Sequence, residues 1–115
     1  MSDECVFCQI AAGEIPAQVL LEDEEAIVFH DLNPQAPTHL LVIPRRHVES
    51  TGTLETEDGA LAGHLLLTAA RAARQAGIHD SGYRVVANTG NEGGQTVPHL
   101  HLHVLGGRPM SWPPG

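Results

Sequence analysis

Positive charge is scarce in this chain: 115 residues carry six Lys plus Arg against fourteen Asp plus Glu, a formal charge of −8. Proteins that hold a nucleic-acid backbone present a basic stripe that displaces counterions. That partner class is excluded, and a small anionic ligand would have to be held by backbone amides and imidazoles. Long apolar runs are also missing, since none approaches the ~20 residues needed to span a bilayer. The start, Met1-Ser2-Asp3-Glu4, is acidic where a secretory signal is basic. The expectation is a cytoplasmic protein with no membrane and no nucleic-acid partner. Cysteine is limited to two residues. In a reducing compartment, Cys5-Val6-Phe7-Cys8 reads as two free thiols or half a metal site rather than a disulfide. Repeats, low-complexity tracts and interior linkers are absent, and the length suits one domain.

Histidine, by contrast, is abundant. There are eight, and His99, His101 and His103 fall in one short run, His99-Leu100-His101-Leu102-His103. Alternation of this kind belongs to a strand, where successive side chains point to opposite faces. All three imidazoles then share one face, ~6 to 7 Å apart, and Leu100, Leu102 and Val104 share the other. Such spacing brackets a phosphate, with the middle ring best placed to attack. We expect Nδ1 of His101 to be held by a backbone carbonyl, leaving Nε2 as the nucleophile. The outer rings, if protonated, would stabilise charge on phosphoryl oxygens. A structural metal site or a solvated polar face are the other readings of three such histidines. The preceding Gly93-Gly94-Gln95-Thr96 turn favours a phosphate, because residues without Cβ let backbone N–H groups approach closely.

Around this run the pattern predicts an α+β domain. Phe7, Ile10 and Ala11 suit a short N-terminal helix ended by Gly13 and Pro16. Strands are expected at Val19–Glu22 and Ala26–Asp31, joined by the turn Asp23-Glu24-Glu25, and at His39–Ile43, Tyr83–Asn88 and Pro98–Leu105. Between Glu57 and Ala76 the period changes to 3.6, with Leu61, Leu65, Thr68, Ala69 and Ala72 on one stripe. This predicts one long helix, N-capped by Thr56 and closed by Gly77. The sum is an antiparallel five-stranded sheet with one long helix and a short N-terminal one. His64 and His79 read as solvated surface.

The run Gln95-Thr96-Val97-Pro98-His99-Leu100-His101-Leu102-His103-Val104 resembles the signature of the histidine triad (HIT) superfamily. Phe29-His30-Asp31-Leu32-Asn33-Pro34-Gln35-Ala36-Pro37-Thr38-His39, Leu41-Val42-Ile43-Pro44-Arg45-Arg46-His47 and the tail from Gly106 to Gly115 resemble its HINT branch, the histidine triad nucleotide-binding proteins. The least conforming stretch, Glu49 to Gly59, is expected to be a surface loop. The resemblance implies a single HIT domain over 1–115, with 106–115 as a tail near the active site and a sheet extended across a homodimer. It implies hydrolysis of the P–N bond of purine nucleoside 5′-phosphoramidates through a nucleotidyl-histidine, with no cofactor required for catalysis. Dinucleoside polyphosphate hydrolysis, nucleotidyl transfer, or a nucleotide-binding scaffold with incidental hydrolysis are the alternatives.

Carried over residue by residue, the resemblance makes His101 the nucleophile, with His99, His103, His39 and Thr96 as its catalytic partners. Thr96 stands where the family commonly has Ser, and His39 supports the catalytic ring from a neighbouring strand. Asp31 would accept from both ribose hydroxyls, a role suited to an acceptor-only carboxylate, although an Asp before Asn-Pro also caps turns. Leu32 would lie beside the ribose. Asn88, Gly94, Gln95, Thr96, His101 and His103 would surround the phosphate. Val6, Phe7, Ile10, Phe29 and Leu41 would form the purine slot, although an ordinary core would contain the same residues. Trp112 would reach the partner's site. Cys5, Cys8, His47 and His99 match a zinc set of bacterial relatives, a closed Cys2His2 structural site, with two buried free thiols as the alternative.

Overall fold

Two periodicities in the sequence become two kinds of element in the computed structural model, which describes residues 4–115. The acidic start, Met1 to Asp3, lies outside them. Alternating segments form β1 (Val19–Glu22), β2 (Ala26–His30), β3 (Thr38–Pro44), β4 (Tyr83–Val86) and β5 (Leu102–Gly106). They make one antiparallel sheet in the order β1-β2-β3-β5-β4. The helices are α1 (Val6–Ala11) and α2 (Gly59–Gln75). This is the expected α+β architecture. Among the described residues no helix is long and apolar enough to cross a membrane.

Parity along each strand assigns residues to one of two faces. Ala26 and Val28 of β2, Leu40 and Val42 of β3, and Leu102 and Val104 of β5 join Leu65, Ala69, Ala72 and Ala73 of α2 in one buried apolar cluster. Each large aliphatic side chain buried here contributes roughly 1.5–3 kcal/mol, so this face supplies most of the stability. Ile27, Phe29, Leu41 and Ile43 project to the other face, where Cys5 and Phe7 cover them. Arg45 fixes the far end of α1: its guanidinium donates to the Ala11 carbonyl at 2.7 Å, the Asp23 carbonyl at 2.7 Å and Glu22 Oε1 at 2.6 Å.

Boundaries differ from expectation where side chains or prolines intervene. β5 starts at Leu102 and not at Pro98, because the β3 register would bring Leu100 opposite Pro44, which has no N–H to donate. Leu100 N–H donates instead to the Val48 carbonyl at 2.6 Å. β4 stops at Val86, so Asn88 lies in the following loop. Thr56 is not the cap of α2. It begins a single 3-10 turn, Thr56–Asp58, and Asp58 occupies the N-cap position. At the other end Ala76 is the cap and Gly77 follows with φ +82. Gly77 N–H bonds the Arg74 carbonyl and Ile78 N–H the Ala73 carbonyl, the paired bonds of a Schellman close. The stretch Glu49–Gly59 is not a plain loop: Ser50 is buried and caps the 3-10 turn Thr51–Thr53 with a reciprocal capping box. His79 is exposed as expected. His64 is not simply solvated, since its Nε2 lies 2.8 Å from Asp23 Oδ2 and ties α2 to the β1–β2 turn.

Candidate active site

The face under α1 is where apolar alternation gives way to imidazole. His39 on β3, His103 on β5 and His101 just before β5 occupy positions whose neighbours Leu40, Leu102 and Val104 face α2. A cavity of about 440 Å³ opens on them. Val6, Phe7, Ile10, Phe29 and Leu41 form its apolar wall, Asp31, Thr96, His39, His101 and His103 its polar side, and the exposed Leu32 stands at its edge. The Phe7 ring meets His101 edge-on, with centroids 5.1 Å apart.

The hydrogen bonds fix where the protons sit. His101 Nδ1 donates to the His99 carbonyl at 2.7 Å, so in the neutral ring Nε2 carries the lone pair. This is the arrangement expected from the sequence. Gln35 N–H donates to His39 Nδ1 at 2.9 Å, which places the His39 proton on Nε2. That Nε2 lies 2.9 Å from His103 Nδ1 and 3.4 Å from Asp31 Oδ2. His103 Nδ1 is therefore an acceptor, and its own proton resides on Nε2. The other oxygen of Asp31 caps a turn, accepting from Asn33 N–H at 2.8 Å, the turn-capping reading of this residue.

Burial acts on these rings. It lowers His103 to about 4, with the neighbouring His101 and His39 adding to the effect and Asp31 opposing it. His39 is lowered by burial against the pull of Asp31. At about 4, His103 is a neutral N–H donor at pH 7, so the condition that an outer ring be protonated is not met there. The rings are also closer than strand spacing alone predicts, with His101 and His103 centroids 5.0 Å apart, and His101 lies just outside β5.

His99 belongs to a different cluster. It is completely buried and does not line the cavity, which corrects its place among the catalytic groups. Its Nε2 donates to the Pro44 carbonyl at 2.9 Å, leaving Nδ1 bare and 3.2 Å from Cys5 Sγ and 3.5 Å from Cys8 Sγ. His47 Nδ1 lies 3.2 Å from Cys8 Sγ, and the four donor atoms fall within 4.8 Å of one another. A bare imidazole nitrogen, oriented through its other nitrogen by a carbonyl, is the arrangement metal-binding histidines use. Burial, helped by the Cys5 thiol, raises Cys8 to about 11, a shift that a bound divalent cation reverses. The donor set fits a tetrahedral structural metal. The second group of adjacent donors, Asp31, His39 and His103, does not fit. A cation on His39 Nε2 would strip the proton from a ring whose Nδ1 already accepts a hydrogen bond, leaving an imidazolate. That cluster is a chain of hydrogen bonds.

The structure gathers Asp31, Leu32, His39, Thr96, His101, His103 and the five slot residues around one cavity. It does not bring Asn88, Gly94, Gln95 or Trp112 to it. Gly94 and Gln95 N–H groups donate within their own loop, to the Asn91 and Gly90 carbonyls. The Gln95 side chain braces that loop, donating to the carbonyls of Glu49 and Val97 and accepting from Gly90 N–H. Gly93 is needed there for space, since a Cβ would overlap the Thr89 carbonyl oxygen. Trp112 is 82% exposed. Sequence reasoning missed Gln35, whose contribution is a backbone N–H and leaves no mark in side-chain chemistry.

This fold and this histidine cluster define a class: the HIT domain family matches residues 12–110, and the chain belongs to it. An uncharacterized HIT-like protein of Synechocystis is 50% identical over 115 residues, the whole of both chains. The structure of a HIT family hydrolase from Legionella pneumophila is 48% identical with a TM-score of 0.95, covering 97% of this chain and 100% of that one. A zinc-bound histidine triad family protein from Mycobacterium smegmatis is 35% identical with a TM-score of 0.78, covering 94% of this chain and 78% of that one. The fold is that of HIT family hydrolases, whose catalysis needs no cofactor.

Proposed function

We propose that the chain hydrolyses the P–N bond of purine nucleoside 5′-phosphoramidates. The observation that carries this reading is His101, with Nδ1 bonded to a backbone carbonyl and Nε2 free beside a cavity of nucleotide size. The apolar wall of Val6, Phe7, Ile10, Phe29 and Leu41 suits a purine, and Asp31 Oδ2 suits a ribose hydroxyl. The phosphate then lies between His101, His103 and Thr96. His101 Nε2 attacks the α-phosphorus, the P–N bond breaks, and the amine leaves with a proton. Water next attacks the nucleotidyl-histidine, releasing nucleoside monophosphate and free His101. His103 Nε2–H serves as a neutral donor to a phosphoryl oxygen or the leaving amine, a contribution of roughly 3 kcal/mol for one such bond.

Cys5, Cys8, His47 and His99 hold a structural zinc ion in this reading. It cross-links α1 to the sheet and takes no part in bond breaking. The protein works as a homodimer: β4 is an edge strand, and Val85 on it and Leu66 and Leu67 on α2 are exposed. Trp112 then has a partner's site to reach.

Turnover of adenosine 5′-phosphoramidate compared with diadenosine polyphosphate tests the substrate. Faster cleavage of the phosphoramidate is expected, and faster cleavage of the dinucleotide would overturn the choice. Nucleotide binding without turnover of either would favour the scaffold. Light scattering during gel filtration tests the dimer.

A further inference from the structure

The C-terminal tail touches this chain of hydrogen bonds from outside the cavity. Arg108 Nη2 donates to the Gln35 carbonyl at 3.0 Å, and its Nη1 to the Pro109 carbonyl at 3.1 Å. Gly107, at φ +91, lies against Pro37 so closely that a Cβ would stand 2.8 Å from Pro37 Cβ. Farther along, Arg84 of β4 donates to the Ser111 carbonyl at 2.7 Å. The tail is thus fastened to β4 and to the loop 31–37. Gln35, gripped through its carbonyl, is the residue whose N–H meets His39 Nδ1. No other hydrogen bond is seen on His39 Nδ1 among the described residues.

We infer that Arg108 is a positioning residue for His103: by clamping Gln35 it keeps the N–H on His39 Nδ1, which fixes the His39 proton on Nε2 and so reserves the His103 proton for Nε2. The physical chain has three links. A guanidinium donor to a carbonyl ties Gln35 to the tail, in addition to the local bonds from Gln35 Nε2 to the Asn33 carbonyl and from Asn33 N–H to Asp31. The restrained N–H selects one tautomer of a neutral ring, because an N–H cannot face another N–H. That ring's Nε2–H then selects the tautomer of the next. Without the clamp Gln35 drifts, His39 samples both tautomers, and the His103 donor is intermittently lost at the cavity. Arg108 touches neither the cavity nor a reacting atom. The inference rests on the proposed phosphoryl chemistry only for its effect on rate.

The experiment compares the full-length wild type with Arg108→Ala, Arg108→Lys and Gly107→Ala. Imidazole ¹⁵N shifts of His39 and His103 and hydrogen exchange at the Gln35 amide are measured first, without substrate. The wild type is expected to show both rings protonated at Nε2 and a protected Gln35 amide. Arg108→Ala should average the His103 nitrogens, expose the amide, and lower kcat about tenfold with little change in KM. Arg108→Lys, which keeps one donor, should restore most of each effect, and Gly107→Ala should mimic Arg108→Ala by displacing Pro37. Unchanged ¹⁵N shifts in Arg108→Ala would overturn the assignment, whatever happens to rate. A wild type that fails to cleave phosphoramidates would instead overturn the proposed activity, and the spectra would still decide the role of Arg108.

Discussion

The two faces of the sheet are cut from the same strands and have opposite characters. Under α2, β2, β3 and β5 contribute Ala26, Val28, Leu40, Val42, Leu102 and Val104, with no ionisable side chain in the cluster. Under α1, the intervening positions of those strands contribute Ile27, Phe29 and Leu41, but also His39 and His103. Both faces bury apolar side chains, but the α1 face offsets part of that gain by burying imidazoles whose protons must be held by specific carbonyls and N–H groups. Position parity, not the identity of the strand, separates stability from chemistry.

Four measurements would break or sharpen that contrast. The largest effect is expected for His101→Asn, a reduction of kcat by at least about a thousandfold with the denaturant midpoint nearly unchanged; retained turnover would remove His101 as nucleophile. Leu65→Ala, on the other side, should cost about 3 kcal/mol in chemical denaturation while kcat below the transition stays near wild type. A large kcat loss there would show the faces to be energetically coupled. Zinc at a hundredfold excess over its Kd should add about 2.7 kcal/mol to wild-type stability, and Cys8→Ser should abolish that increment. An equal increment in both proteins would place the metal elsewhere.

The smallest effect is on pH dependence. Burial holds folded His103 at about 4, against 6.5 for the same imidazole in the unfolded chain. Between those values the unfolded chain binds more protons, so this contribution is complete above pH 6.5, declines as pH falls from 6.5 towards 4, and is lost once pH has fallen through 4. The decline should be shallower in His103→Gln, read from denaturation midpoints across that range; parallel curves would show that His103 is not the group responsible.

Much of this was legible beforehand because it follows from local rules. Alternation placed Leu102, Val104 and His103 on their faces, and the 3.6-residue stripe of Leu65, Thr68, Ala69 and Ala72 is the buried face of α2. Even the His101 tautomer was accessible, since its acceptor, the His99 carbonyl, is only two residues away. The strand boundary at Leu102 was not. It depends on the proline that β3 places opposite, a partner whose identity only the register reveals.

What the amino-acid order determined by itself was therefore the alternation, the apolar stripe and the tautomer of His101, because side-chain direction and a neighbouring carbonyl are set within a few residues. What only the tertiary structure decided was the division of the three histidines. His99 turns to Pro44 and the cysteines, while His103 leans on His39, which Gln35 and the tail hold in place. Burial and hydrogen-bond geometry set those proton positions, and both arise only when residues far apart in the chain are brought within a few ångströms.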